Sequence, residues 1–200
     1  NELVIVIKES TDSYEKFDYT SALEKIEQLF WKFCDHYIEL VKGRAYREEN
    51  LVKRKSALAT LYFSLDTFLR LFAPFVPYVT EEIWSWRLAE DNNVASIHIA
   101  RWPSESEWDE LKTSNETGLF ECAINILSQI RGVKTKAQKN MKHPVEKLAL
   151  HCDESTKAAF NVLKEDLYRA CTIQSHEIES LDPGSEPVIK LTLAKDNDAS

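Results

Sequence analysis

The sequence predicts a mainly α protein, an antiparallel helical bundle followed by a small α/β appendage. Two long apolar stripes at helical spacing, a Pro-x-x-Pro corner between helical patterns, and alternating hydrophobicity near the end predict it. The first stripe runs Ala22, Ile26, Leu29, Phe33, Tyr37 and Leu40, and the second Leu58, Leu61, Leu65, Phe68 and Phe72. Steps of three and four place each set on one helix face. Pro74 and Pro77 then interrupt the pattern, because each lacks an amide hydrogen and restricts its predecessor, and Thr80-Glu81-Glu82 puts polar groups at a new helix start.

Taken in order, helices are expected near 2–15, 18–46, 50–72 and 77–88, packed as an antiparallel bundle. The opening Leu3-Val4-Ile5-Val6-Ile7 is read as part of the first helix, with an edge strand as the alternative its β-branched residues allow. An irregular stretch from Ala89 to Ser114 holds an expected short strand at 96–101 and an acidic patch, and marks the boundary between domains at 1–112 and 113–200. A long helix is expected at 116–141, with Leu119, Ala123, Ile126, Ile130, Val133 and Ala137 on one face and Pro144 as its stop. Gly132 inside it costs about 1 kcal/mol. Leu148, Leu150 and Cys152 alternate as a strand, Phe160, Leu163, Leu167 and Ala170 make a helical face, a further strand fits 172–179, and Ile189, Leu191 and Leu193 form the last one.

Composition limits the function classes. With 44% apolar residues in 200, the chain can bury a core covering roughly 70% of its unfolded surface. Cys34, Cys122, Cys152 and Cys171 lack paired spacing, which fits reduced thiols and the cytoplasm and excludes a zinc site of Cys-x-x-Cys type. No signal peptide or membrane span is readable. Four glycines cannot build a phosphate-cradling loop, and neither a P-loop nor G-x-G-x-x-G occurs. No catalytic residue, cofactor or metal is therefore expected in this piece.

The net charge of −8 disfavours indiscriminate nucleic-acid binding, so any RNA contact must rest on local basic clusters. One cluster is Lys42, Arg44, Arg47, Lys53, Arg54 and Lys55; the other is Arg131, Lys134, Lys136, Lys139 and Lys142. On a continuous helix turning about 100° per residue, Arg131, Lys139 and Lys142 would share an arc of roughly 80° opposite the apolar face. Ordinary solvated charge is the plain alternative for both clusters.

Phe33-Cys34-Asp35-His36-Tyr37-Ile38-Glu39 and Phe75-Val76-Pro77-Tyr78-Val79-Thr80-Glu81-Glu82-Ile83-Trp84 resemble two runs of the valyl-tRNA synthetases within the class I aminoacyl-tRNA synthetases, and Ser96 to Pro103 is similar to the segment after their bundle. The resemblance runs from Tyr14 to Pro103 and reaches Glu146. His36 stands where the family has an aromatic ring, and Ala73 where it often has histidine. The resemblance implies an anticodon-binding bundle excised from a longer ligase whose catalytic domain uses ATP and Mg²⁺, with tRNA(Val) and that catalytic domain as partners, and a monomer as the working state. The nucleotide signatures of such a catalytic domain are absent from the 200 residues, as is a sustained heptad for a C-terminal coiled-coil arm.

Anticodon reading needs splayed bases stacked and read at their edges, with cations holding phosphates. His36, Ile38, Lys42, Arg44 and Arg47 supply those types at the end of the second helix, and Arg131, Lys139 and Lys142 form a second tRNA-backbone candidate. Phe33 and Tyr37 lie on the core stripe and are expected to be packed; Trp84 is expected in the core and Trp86 at an interface. Two alternatives stay open: a helical protein-interaction module without RNA binding, and the equivalent domain of an isoleucyl- or leucyl-tRNA synthetase.

Overall fold

Side chains able to answer their own backbone set the helix starts in the computed structural model, which describes residues 2–47, 49–111, 118–181 and 187–195. Asp18 accepts from Ser21 N at 3.1 Å to begin α2 (Tyr19–Lys32), Asn50 accepts from Val52 N and Lys53 N to begin α4 (Leu51–Phe72), and Asp153 accepts from Thr156 N at 2.8 Å to begin α8 (Glu154–Cys171). The remaining α-helices and strands are α1 (Glu2–Glu15), α3 (Ile38–Arg47), α5 (Pro77–Ile83), α6 (Ala89–Asp91), α7 (Leu119–Lys136), β1 (Val145–Cys152), β2 (Ile173–Ser180) and β3 (Val188–Leu193). Five-residue π turns, Phe33–Tyr37 and Trp84–Leu88, lie between α2 and α3 and between α5 and α6. The opening apolar run is helical, as expected over the alternative strand.

The described residues fall into two compact units, Asn1–Ile38 with Glu49–Ser114, and Glu39–Glu48 with Asn115–Ser200. In the first, α1 meets α2 through small residues. Ser10 and Ser13 are buried with their hydroxyls returned to Val6 O at 2.6 Å and Glu9 O at 2.9 Å, and Ala22 is sealed. Ile7, Ile26, Phe68 and Leu71 form one core; Leu69, Ala73, Trp84, Leu88 and Ile97 form another. Helix α4 feeds both, since Leu69 lies about 100° round the helix from Phe68. This differs from the single expected stripe. Leu58 and Leu65 fall in the gap between the two buried faces and are 45% and 44% exposed, while Ser64 and Thr67 are buried in their stead.

Pro77 occupies the first turn of α5, and Thr80 Oγ1 donates back to Val76 O at 3.0 Å. The expected strand at 96–101 is instead a 3₁₀ turn, Ile97–Ile99. Glu81 explains it: its carboxylate accepts from Ser96 Oγ at 2.9 Å and Ile97 N at 3.0 Å, using a backbone donor a strand ladder would need. Trp84 is in the core with Nε1 donating to Val94 O at 3.0 Å, and Trp86 is exposed.

In the second unit, three strands in the order β2-β1-β3 form a sheet, β1 parallel to β2 and antiparallel to β3. The parallel pair requires a crossover, which α8 supplies. Val145, Leu148, Leu150 and Cys152 of β1 are buried, as are Phe160, Leu167 and Cys171 of α8 and Ala123, Ile126, Leu127 and Ile130 of α7. Helix α7 ends earlier than expected. Gln138 takes φ 53° while Lys139 N bonds Lys134 O at 2.9 Å and Gln138 N bonds Thr135 O at 3.0 Å, a Schellman stop six residues before Pro144. The expected helix start at 116 and the boundary after 112 lie outside the described residues.

Candidate nucleic-acid interface

The run Phe33–Tyr37 is a π turn, a helix distortion common at functional positions, and it carries Cys34, Asp35 and His36. Phe33 and Tyr37 stack at 5.3 Å with planes 17° apart, and Phe33 leans on Phe68 at the same distance. Both rings are thus packed, as the core stripe implied. His36 and Ile38 are half-buried beside them, and burial followed by the Asp35 charge pushes the Cys34 thiol up. These positions belong to the first unit; Lys42, Arg44, Arg47, Arg131, Lys139 and Lys142 belong to the second.

In the second unit the cations divide by what they touch. Lys42 is exposed and pairs with Glu39 at 2.5 Å. Arg44 turns inward, its Nε donating to Asp166 Oδ1 at 2.7 Å and Nη2 to Oδ2. The side chain of Arg47 lies outside the described residues. Gly43 lets α8 come close: a Cβ there would sit 2.9 Å from Arg169 Cδ. The buried Cys171 thiol, pushed up to about 11 by burial, also feels Lys134, Arg131 and Glu39. Residues 39–44, Arg131 and Arg169 are therefore neighbours around the C-terminal half of α8. Arg169 was not legible as a member of this group, because 114 or more residues separate it from the first cluster and only the Gly43 contact reveals it.

The expected helical strip of Arg131, Lys139 and Lys142 does not exist as such. Arg131 is on α7, whereas Lys139 and Lys142 lie in the turn beyond the Gln138 stop. Lys134, one of the same cluster, is only 1% exposed, and its Nζ donates to Met141 O at 2.8 Å and Cys171 O at 2.9 Å, tying that turn to the end of α8. Lys142 is exposed and Lys139 half-buried.

Elsewhere, a cleft of about 620 Å³ in the first unit is lined by Tyr62, Asp66, Arg70, Trp84, Asn92 and Glu107, among others. Its charges answer one another: Arg70 pairs with Asp66 and, at 2.6 Å, with Glu107, while Asn92 Nδ2 donates to Asp66 Oδ1 at 3.1 Å. Among the described residues no group of three or more His, Cys, Asp or Glu is placed to hold a metal ion, and no helix is long and apolar enough to cross a membrane.

A helical bundle with a Pro corner, a π turn at Phe-Cys-Asp-His-Tyr and an α/β appendage defines the class. The chain belongs to the family of anticodon-binding domains of tRNA ligases, whose pattern matches residues 1–149. It is similar to the valine–tRNA ligases of Salinispora tropica (37% identical over 203 residues, 94% of this chain and 23% of that protein), Thermobifida fusca (35% over 180 residues, 90% and 20%) and Cutibacterium acnes (35% over 192 residues, 95% and 21%). The chain spans about a fifth of the length of these relatives.

Proposed function

We propose that this chain is the tRNA-binding portion of a valine–tRNA ligase, working as a monomer in the cytoplasm and holding the anticodon stem-loop of tRNA(Val). The parent's catalytic domain would bind ATP and Mg²⁺ and attach valine. The observation that carries this reading is the similarity to valine–tRNA ligases over nine tenths of the chain. The π turn supports base reading at His36 and Ile38, since it sets a planar and an apolar side chain beside packed aromatics. Lys42, Arg47 and Arg131, with Arg169 added, supply positive charge for phosphates, Arg44 of the same cluster being held by Asp166, and Lys139 and Lys142 a second basic point on the turn after α7.

Titration of the 200-residue chain with tRNA(Val), with the same tRNA carrying a scrambled anticodon, and across a salt series tests it. The expected result is weak binding that falls steeply with salt and drops severalfold on scrambling. Equal affinity for both RNAs, or no salt dependence, would remove the anticodon role and leave a protein-interaction module.

A further inference from the structure

Lys134 is buried where an apolar residue would complete a pattern. It follows Leu127 and Ile130 on α7 by seven and four residues, so it continues the face on which both are buried. Five cations and no acid stand between Arg131 and His143, and Lys134 alone among them is buried. Burial lowers its pKa, and no carboxylate pairs with it among the described residues.

Carbonyl oxygens answer the ammonium instead. The bond from Nζ to Cys171 O reaches the last residue of α8, where a helix has its negative pole and carbonyls without intrahelical donors. Packing of α7 on α8 does not by itself call for this, because a buried charge without a countercharge is costlier than a methionine or leucine of similar volume. The second bond, to Met141 O, is what an apolar residue could not supply.

Met141 lies between Lys139 and Lys142 in the turn beyond the Gln138 stop. Lys142 N donates to Asn140 Oδ1 and His143 N to Asn140 O, each at 2.9 Å, and these bonds shape the turn from within. They do not attach it to anything else. His143 Nε2 pairs with Ala194 O at 2.8 Å at one end of the turn, and Lys134 joins its middle to both α7 and α8. Lysines on a loose loop must be ordered when RNA binds, and that cost is taken from affinity; lysines on a fixed turn avoid it.

We infer that Lys134 is a positioning residue for tRNA: its ammonium holds the turn against the end of α8, so that Lys139 and Lys142 are already in place when the RNA backbone arrives, and it touches no phosphate itself. The inference rests on the proposed tRNA contact at that turn.

Lys134→Met in the intact ligase tests it, since methionine continues the apolar face of α7. The KM for tRNA(Val) is expected to rise about fivefold, with kcat and valine activation unchanged. On a Lys139→Glu, Lys142→Glu background the same substitution should add less than about 1.5-fold, because no basic turn is left to position. Lys134→Gln, whose amide can still reach one carbonyl, should fall between wild type and Lys134→Met, and it stands in for the methionine variant if that does not fold. An unchanged KM overturns the inference. So does an equal rise on both backgrounds, which would make Lys134 a support of the fold at large. If the two glutamates raise KM while Lys134→Met leaves it alone, positioning fails and the RNA contact stands; if the two glutamates leave KM unchanged, the RNA contact at this turn fails.

Discussion

Arg44 and Asp166 meet across 122 residues of sequence in a forked ion pair whose carboxylate is almost sealed from water. A cation expected to hold phosphate thus has a structural partner already. Arg44→Ala should leave a buried charge unpaired and cost about 2–3 kcal/mol in urea unfolding, whereas Arg44→Met with Asp166→Leu should recover most of that loss. If the single variant unfolds at the wild-type urea concentration, the pair contributes nothing.

Cys171 makes alkaline stability testable. Its thiol titrates at about 11 in the fold and near 9.0 unfolded, chiefly through burial, so the unfolded chain loses that proton first. The contribution is intact below pH 9 and is lost as pH rises from 9 through 11, by about 2–3 kcal/mol. Lys134, whose pKa burial lowers, works in the opposite direction, gaining stability as pH rises. Urea midpoints at pH 8, 9.5 and 11 should decline less steeply in Cys171→Ala than in the wild type. Parallel profiles would rule the thiol out as the source.

Base reading and phosphate holding separate at the π turn and α3. Ile38→Asp should weaken tRNA(Val) tenfold or more and selectively, because an apolar contact becomes a carboxylate. Lys42→Ala and Arg169→Ala should weaken all tRNAs about two- to fivefold and lower the salt slope by about one each. Equal losses across tRNAs for all three would reduce the region to a generic charge patch.

For the turn after α7, Lys139→Glu with Lys142→Glu should reduce tRNA affinity severalfold and keep the circular dichroism spectrum unchanged, since neither residue is buried and Lys134 still pins the turn. Unaltered aminoacylation by the intact enzyme carrying both changes would return these lysines to ordinary solvated charge.

Most of the architecture was legible because periodicity reports which faces are buried. Ala22, Ile26 and Leu40 are in the core, and the strand, helix, strand, strand order of the appendage stands. What escaped depended on groups distant in sequence or on conformations that residue type does not advertise. Gln138 takes a left-handed turn usually given to glycine and so breaks a helix whose pattern ran on. Glu81 captures Ser96 and Ile97 across fifteen residues and converts a β-like run into a 3₁₀ turn. The basic clusters were visible as composition, but that Arg44 and Lys134 turn inward required Asp166 and the carbonyls of Met141 and Cys171 to be in place.

Because α4 is the common wall of two cores, neither can melt by itself. Leu69 and Leu71 are two positions apart yet face different interiors, so loosening either strips the same helix of half its support. The first unit should accordingly lose its structure in a single step, with Leu69→Ala and Leu71→Ala each shifting every probe in that unit together.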